Sequence, residues 1–234
     1  MDISIIIPAK DEASRLPVFL PSVIEFCRNG EMDCEIIVVD DGSTDGTSAS
    51  AQGFQGQWPD LKVIRLERNR GKGFAVKRGF EEARGDILLF MDADGSTPVE
   101  EIGRNAHWLK EGYDIVIGSR VIREPGVSVQ ARLHRKCMGA LFNTLVHTFL
   151  IKDIKDTQCG FKMFRRAIAR PLFAHMQIDG FGFDLEILYL ARKMGYKIKE
   201  TAVNWRHVEG GKVNLFTDPA RMLSNIFQIR SMHA

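Results

Sequence analysis

Two carboxylate clusters each follow a short apolar run in this sequence. They are Asp40-Asp41 after Ile36–Val39, and Asp92-Ala93-Asp94 after Ile87–Met91. Unbroken apolar runs of this length are typical of strands buried on both faces, and open α/β sheets bind ligands at the carboxyl ends of such strands. Carboxylates gathered at one edge repel one another unless a cation joins them. The alternative is that each aspartate only caps the next helix or turns the chain.

The spacing of Asp92 and Asp94 suits a divalent cation held against a diphosphate. Carboxylates are hard oxygen ligands, and Mg²⁺ usually takes one or two of them together with phosphate oxygens and waters. Such a cation would stabilise the charge that develops as a nucleoside diphosphate leaves. We therefore expect these two residues to bind Mg²⁺ or Mn²⁺.

Strand-like and helix-like segments alternate through the first half of the chain. The predicted strands are Ile3–Ile7, Glu35–Val39, Lys62–Leu66, Asp86–Met91 and Asp114–Gly118. One predicted helix begins near Leu16, and three more cover residues 44–53, 73–83 and 99–111. This alternation predicts βαβ units, and so an α/β fold with a mostly parallel central sheet flanked by helices.

The second half has a different pattern. It has a loop over 123–130, an apolar-faced helix over 133–151, a helix over 183–194, a strand over 197–203 and a Gly-rich loop over 207–213. A last helix starts at Asp218-Pro219 and carries Met222, Leu223, Ile226 and Phe227 on one face. We expect a single domain over 1–234, with a nucleotide-type half (1–118) and an acceptor half (119–234).

Composition narrows the class of protein. With 44% hydrophobic and 26% charged residues, the 234-residue chain is typical of a globular protein, and its net charge of +2 argues against nucleic-acid binding. Its four cysteines lack metal-ligand spacing. The sequence shows no signal peptide, and the apolar segment 137–151 is too short to span a bilayer. We expect a cytoplasmic protein in peripheral contact with a membrane.

Motifs in both halves resemble one enzyme family. In the first half they are Ile5–Glu12, Val38–Thr47, Asn69–Gly73 and Gly85–Asp94, which are similar to an inverting family 2 glycosyltransferase of GT-A fold. In the second half they are Gly118–Arg120, Asp156–Lys162, Phe183–Glu186 and Ala202–Lys212, which resemble the dolichyl-phosphate β-glucosyltransferases and, more distantly, the dolichyl-phosphate mannose synthases.

The resemblance implies roles for individual residues. Base and ribose would be held by Pro8, Lys10, Glu12, Val39 and Asp41. Ribose, diphosphate and metal would be contacted by Asp92, Ala93 and Asp94, with Asp94 the direct metal ligand. Arg206 and Lys212 would form a basic pair near the diphosphate, while Arg120 and Arg135 would hold the acceptor phosphate. Gly71-Lys72-Gly73 would position a turn beside the nucleotide, with Lys72 a candidate contact.

The residues themselves agree with a phosphate acceptor. A guanidinium can bind two phosphate oxygens at once, as Arg120 and Arg135 would. Arg135 also lies in a basic helix start that suits an anionic membrane surface, and it could simply be a surface residue. A phosphate monoester is mostly dianionic at pH 7 and needs no general base. Asp156 and Asp184 would then position other groups; a hydroxyl acceptor would instead require one of them as a base.

The expected reaction is transfer of glucose from UDP-glucose onto a polyprenyl phosphate at the cytosolic membrane face. The alternatives are GDP-mannose as donor, a soluble acceptor, a non-catalytic nucleotide-sugar-binding subunit, and, more weakly, a nucleotidyltransferase. The eukaryotic glucosyltransferases of this kind carry an N-terminal membrane anchor, and we expect none in this chain. Anchorage would therefore come from helix 133–151, the C-terminal helix or a partner subunit.

Overall fold

The structure is a computed structural model that describes residues 1–30, 32–130, 150–209 and 218–233, with the backbone alone for 218–223. The predicted helix 133–151 lies almost wholly outside these residues, as do Arg135 and Lys212. Within the described residues, no helix is long and apolar enough to cross a membrane.

A seven-stranded sheet forms the centre of the molecule. Its strands are β1 (Ile3–Ala9), β2 (Cys34–Asp40), β3 (Leu61–Arg65), β4 (Ile87–Met91), β5 (Ile115–Ser119), β7 (Phe161–Arg165) and β8 (Ile198–Ala202). They lie in the order β3-β2-β1-β4-β7-β5-β8. All neighbours are parallel except β7, which runs antiparallel to both β4 and β5. Two short strands, β6 (Val129–Gln130) and β9 (Trp205–Arg206), pair in parallel as a separate ribbon.

Helices cover both faces of the sheet. They are α1 (Leu16–Asn29), α2 (Thr47–Gln52), α3 (Lys72–Glu82), α4 (Glu101–Asn105), α5 (His107–Lys110), α6 (Arg166–His175), α7 (Phe183–Lys193) and α8 (Asp218–Met232). In β1, Ile5 and Ile7 pack in the apolar layer that contains α1, whereas Ile6 packs in the opposite layer with α3 and α7. Strands buried on both faces explain the unbroken apolar runs of the sequence.

The mostly parallel sheet flanked by helices confirms the predicted fold class. Sequence reasoning missed β7 and α6, which follow directly on one another. The predicted helix over 99–111 is wrong in one respect, because it divides into α4 and α5 at Ala106. Asn105 Nδ2 donates to the Glu101 carbonyl at 2.9 Å, and a side chain that competes for a main-chain acceptor favours such a break.

The last helix also differs from the prediction in one residue. Ile226 and Ile229 are fully buried, but Phe227 is 59% exposed. Phe227 therefore does not share the buried face with Ile226. The side chains of Met222 and Leu223 lie outside the described part of the chain.

Candidate active site

The carboxyl ends of β2, β1 and β4 meet at one edge of the sheet. These strands are parallel neighbours, and Ala9 at the end of β1 is in register with Asp40 at the end of β2. The loops that follow the three strands carry the residues predicted to bind the donor. Ligands of open α/β sheets bind in such a position.

Asp41 fixes the loop that leads into α3. Its carboxylate accepts the main-chain N–H of Arg70 at 2.6 Å and of Gly71 at 2.9 Å. Burial raises the pKa of the Asp41 carboxyl, and the two donors offset only part of that effect. Gly71 has φ +108°, and a Cβ there would lie 2.4 Å from the Asp179 carbonyl oxygen, so the turn requires glycine.

The residues after β1 are tied to the segment after β2. Lys10 Nζ donates to the Gly42 carbonyl at 2.7 Å, and the Glu12 main-chain N–H donates to Thr47 Oγ1 at 2.7 Å. The Glu12 carboxylate forms a two-point ion pair with Arg15. This part of the predicted donor site is thus organised by its own side chains.

Not every predicted donor residue presents a side chain to the surface. Pro8 is partly exposed, but its register partner Val39 is fully buried, and Ala93 is 4% exposed. The Val39 side chain belongs to the core, so we expect this residue to contact a ligand through its main chain.

Asp92 and Asp94 lie in the loop after β4. Asp92 Oδ1 is 2.7 Å from Lys72 Nζ, and Asp94 Oδ1 accepts the Ser96 N–H at 2.9 Å. Burial alone would lower the pKa of Lys72, but the carboxylates of Asp92, Asp184 and Asp94 raise it above its ordinary value. The Lys72 ammonium is therefore paired with Asp92 and lies within the electrostatic influence of Asp94 and Asp184.

The two aspartates suit a cation that also binds phosphate. Within the described residues there is no group of three or more His, Cys, Asp or Glu side chains that could hold a metal alone. Two carboxylates completed by phosphate oxygens and waters are the usual surroundings of Mg²⁺, and Mn²⁺ accepts the same oxygen ligands. The donor set therefore fits a cation recruited together with a diphosphate.

A second charged group lies beyond β4 in the sheet. Arg120, at the end of β5, makes a two-point ion pair with Asp156 at 2.7 and 2.8 Å and also donates its main-chain N–H to that carboxylate. Burial alone would raise the pKa of the Asp156 carboxyl, but Arg120 holds it below its ordinary value. Burial would also lower the pKa of Arg120. The neighbouring Asp156 outweighs that effect and raises the pKa of Arg120, with smaller contributions from Cys159 and Asp92.

The loop from Asp156 to Gly160 links this ion pair to the metal motif. The Asp92 main-chain N–H donates to the Gly160 carbonyl at 3.1 Å. A Cβ on Gly160 would lie 1.9 Å from Asp92 Oδ2, so any other residue would push the Asp92 carboxylate out of its present position. The Asp156 main-chain N–H is in turn held by Glu200 Oε1 at 2.8 Å.

Asp184 is engaged in the interior. Its Oδ1 is 2.5 Å from Lys162 Nζ, which also donates to the Cys159 carbonyl at 2.7 Å. Lys162 is fully buried and Asp184 is 2% exposed. Glu186, two residues further along α7, accepts the main-chain N–H groups of Gln177 and Ile178. In this arrangement Asp184 orients a lysine rather than facing solvent.

The ribbon of β6 and β9 extends the site past Arg120. The Arg206 main-chain N–H donates to the Ser96 carbonyl at 2.9 Å, which places Arg206 beside the loop of Asp94. The Arg120 guanidinium carbon lies 5.7 Å from the Trp205 ring centroid, within cation–π range. Sequence analysis gave no role to Trp205 or Lys162, although both lie in motifs that it recognised, Ala202–Lys212 and Asp156–Lys162. A single lysine within the otherwise apolar segment Phe161–Phe164 was a further signal for Lys162.

Comparison with known proteins identifies the family. The family model described as glycosyl transferase family 2 matches residues 4–173. The chain belongs to glycosyl transferase family 2. The matched part of this glycosyltransferase contains Asp41, Lys72, Asp92, Arg120 and Asp156, whereas the ribbon strand β9 lies beyond it.

Curated relatives match this glycosyltransferase over nearly its whole length. A protein of Dictyostelium discoideum named dolichyl-phosphate beta-glucosyltransferase is 37% identical over 97% of this chain and 73% of the relative. Proteins of the same name from Drosophila melanogaster and Saccharomyces cerevisiae are 35% and 33% identical, over 98% and 97% of this chain and 74% of each relative.

Solved structures share the fold. Glucosyl-3-phosphoglycerate synthase of Mycobacterium tuberculosis, in complex with UDP, superposes with a TM-score of 0.73 at 20% identity, covering 98% of this chain and 80% of that chain. Mannosyl-3-phosphoglycerate synthase of Rubrobacter xylanophilus gives 0.71 at 17% identity, covering 100% and 74%. The fold of this family 2 glycosyltransferase is GT-A.

Proposed function

We propose that the chain transfers glucose from UDP-glucose, with inversion, onto a polyprenyl phosphate of the dolichyl or undecaprenyl type. The observation that carries this proposal is the similarity of 33–37% identity, over nearly the whole chain, to proteins named dolichyl-phosphate beta-glucosyltransferase. Such a reaction requires two charged sites. The sheet edge that carries Asp92 and Asp94 would be the donor site, and Arg120, beyond it in the sheet, would belong to the acceptor site.

The donor would lie along the edge formed by β2, β1 and β4. Base and ribose would be held by Pro8, Lys10, Glu12, Val39 and Asp41. A divalent cation, Mg²⁺ or Mn²⁺, held by Asp92 and Asp94 would supply charge neutralisation for the departing diphosphate. Crystal structures of fold relatives contain UDP with Mg²⁺, and Mn²⁺ with UDP-glucose, which supports the choice of ligands. Lys72, Arg206 and Lys212 would add positive charge around the same group.

The acceptor would meet the donor from the Arg120 side. Arg120, together with Arg135, would bind the acceptor phosphate and aim one of its oxygens at the anomeric carbon, opposite the leaving diphosphate. A phosphate monoester is mostly dianionic at pH 7 and needs orientation rather than deprotonation. Asp156 would hold the Arg120 guanidinium in place. Asp184 would hold the buried Lys162 in place and would not contact the acceptor.

A lipid acceptor requires contact with a membrane. We infer a peripheral association at the cytosolic face, through the predicted helix 133–151 with its basic start, the C-terminal helix or a partner subunit. One domain spanning 1–234 would join the donor half (1–118) and the acceptor half (119–234), since β7 and β8 complete the sheet of the first half.

The proposal is tested with the purified chain. We expect transfer of labelled glucose from UDP-glucose to dolichyl or undecaprenyl phosphate in detergent, dependent on Mg²⁺ or Mn²⁺, and little transfer from GDP-mannose. A thermal-shift series of nucleotide sugars with Mn²⁺ identifies the donor without turnover, because a ligand at 100 times its Kd stabilises a protein by roughly 2.7 kcal/mol. Transfer to phosphoglycerate alone would assign a soluble acceptor, and donor binding without any transfer would assign a non-catalytic subunit.

A further inference from the structure

A cavity opens beside Trp205, on the acceptor side of the site. Its volume is about 280 Å³, and it is lined by Pro98, Ser128, Gln130, Asn204, Trp205 and Arg206. β5 and β8 lie on the opposite side of β4 from β1 and β2, and the ribbon strand β9 follows β8 in the chain. The cavity is bordered by Trp205 near Arg120 and, through Pro98, by the loop that follows Asp94, and none of its lining residues comes from β1 or β2.

The walls of this cavity are held in place by hydrogen bonds. Asn204 Nδ2 donates to Glu101 Oε1 at 2.7 Å, and Asn204 Oδ1 accepts the Ser128 N–H at 2.9 Å. Glu101 is 1% exposed. The Trp205 N–H donates to the Ser128 carbonyl at 3.0 Å, which closes the ribbon. These bonds fix the main chain at Asn204 and Trp205 relative to α4.

Trp205 joins the cavity to the phosphate-binding arginine. Its ring lies 5.7 Å from the Arg120 guanidinium carbon and also lines the cavity. Apolar surface thus adjoins the cation, and a ligand that is anionic at one end and apolar directly behind it matches this pair of features.

We propose that this cavity binds the first isoprene unit of the polyprenyl phosphate acceptor while Arg120 binds its phosphate. The inference rests on the proposed function and adds a lipid subsite to it. If each carbon takes a volume similar to the ~30 Å³ of a liquid water, a five-carbon unit occupies roughly 150 Å³. The cavity therefore accommodates one unit and part of a second. Trp205 is the residue that distinguishes a prenyl chain from other substituents on the phosphate.

The test compares two soluble phosphates that share the anionic end. Citronellyl phosphate carries two isoprenoid units, and ethyl phosphate carries none. Binding is measured by calorimetry without donor, and KM and kcat are measured with UDP-glucose. We expect the native chain to bind citronellyl phosphate at least tenfold more tightly than ethyl phosphate. Trp205→Ala should remove most of that ratio, and Trp205→Phe should keep part of it.

Two further variants guard against a change in folding. Ser128→Phe, at an exposed position that lines the cavity, should fill it and weaken binding of citronellyl phosphate while leaving ethyl phosphate unchanged. Trp108→Phe, on α5, is the matched control and should leave the ratio unchanged. The subsite is overturned if Trp205→Ala weakens the binding of both phosphates equally, or if Ser128→Phe has no effect on the binding of citronellyl phosphate. If the ratio of the two affinities changes as expected but the chain transfers no glucose, the subsite is upheld and the proposed function is rejected.

Discussion

Lys72 forms an ion pair with Asp92, with 2.7 Å between Lys72 Nζ and Asp92 Oδ1. Lys72 is on α3 and Asp92 follows β4, so the pair joins two elements at the edge where the donor would bind. The Lys72 ammonium is paired with Asp92, one of the two carboxylates that would hold the divalent cation. A cation that binds Asp92 must therefore compete with this lysine.

Replacing Lys72 by Met should tighten the binding of Mn²⁺ in the absence of nucleotide. Removing a positive charge next to Asp92 and Asp94 leaves the carboxylates uncompensated, and a gain of about 1.4 kcal/mol would raise the affinity about tenfold. Turnover should fall, because in the proposed reaction the same ammonium would lie beside the departing diphosphate. Free Mn²⁺ is measured by electron paramagnetic resonance. Lys77→Met on the same helix is the control, and equal Mn²⁺ affinity in both variants would contradict the competition.

Replacing Asp94 by Asn should lower turnover by on the order of 10² to 10³, the scale of losing one group that stabilises charge in the transition state. An asparagine oxygen can still accept the Ser96 N–H, so the loop should keep its shape. Asp86→Asn, an exposed residue before the same strand, is the control and should leave turnover nearly unchanged. Full activity of the native chain in excess chelator would show that the reaction does not use a metal.

Replacing Arg120 by Lys should act on the acceptor alone. A lysine cannot make the two-point contacts of a guanidinium, so KM for polyprenyl phosphate should rise by roughly tenfold or more. The affinity for UDP-glucose, measured by calorimetry, should stay within about twofold. Arg123→Lys, three residues further on, should change neither quantity. Loss of UDP-glucose binding in Arg120→Lys would place this residue at the donor instead.

Replacing Asp156 by Asn should destabilise the fold at neutral pH by on the order of 2 kcal/mol, less than for a wholly buried pair because Arg120 is one-third exposed. The pKa of Asp156 is lowered in the folded state. Its stabilisation is therefore complete above its unfolded pKa, near 4, and is lost as the pH falls through the lower folded value. Urea unfolding of both proteins from pH 7 to pH 3 should show a constant difference that shrinks below about pH 4. A difference that instead grows toward acid would reject this assignment.

Lys162 and Asp184 should behave as a coupled buried pair. Asp184→Asn leaves a fully buried ammonium without its carboxylate, which typically costs about 3–5 kcal/mol of unfolding free energy. Lys162→Met in the same chain should recover most of that loss, since it removes the uncompensated charge. Chemical denaturation of the two single variants and the double variant measures the coupling. Additive losses would mean that the two side chains are independent.

The fold was predictable because β1, β2, β4 and β5 are buried on both faces and are followed by polar residues. β1 to β5 were each found within a few residues, and the α/β class followed from their alternation. β7 was missed because Lys162 interrupts the apolar run Phe161–Arg165, and the compensating carboxylate of Asp184 is distant in sequence. Local patterns do not reveal a charge that is neutralised from another helix.

The site was predictable in part for the same reason. Asp92 and Asp94 stand directly after a strand, so their position at the sheet edge followed from the sequence. The pairing of Lys72 with Asp92 and the approach of Trp205 to Arg120 depend on how distant segments cross. No spacing along the chain encodes such contacts. The assigned roles of the site residues stay predictions until the variants above are measured.

The antiparallel strand β7 has a consequence for synthesis of the chain. β4 and β5 border the slot that β7 fills, and both leave the ribosome well before Phe161–Arg165. Until then each has an unpaired edge, and such edges pair readily with foreign strands. Ribosome-bound chains stalled before residue 161 should therefore bind chaperones or aggregate, whereas chains released after β8 should not. The two halves of the enzyme are thus interdependent before either has met a substrate.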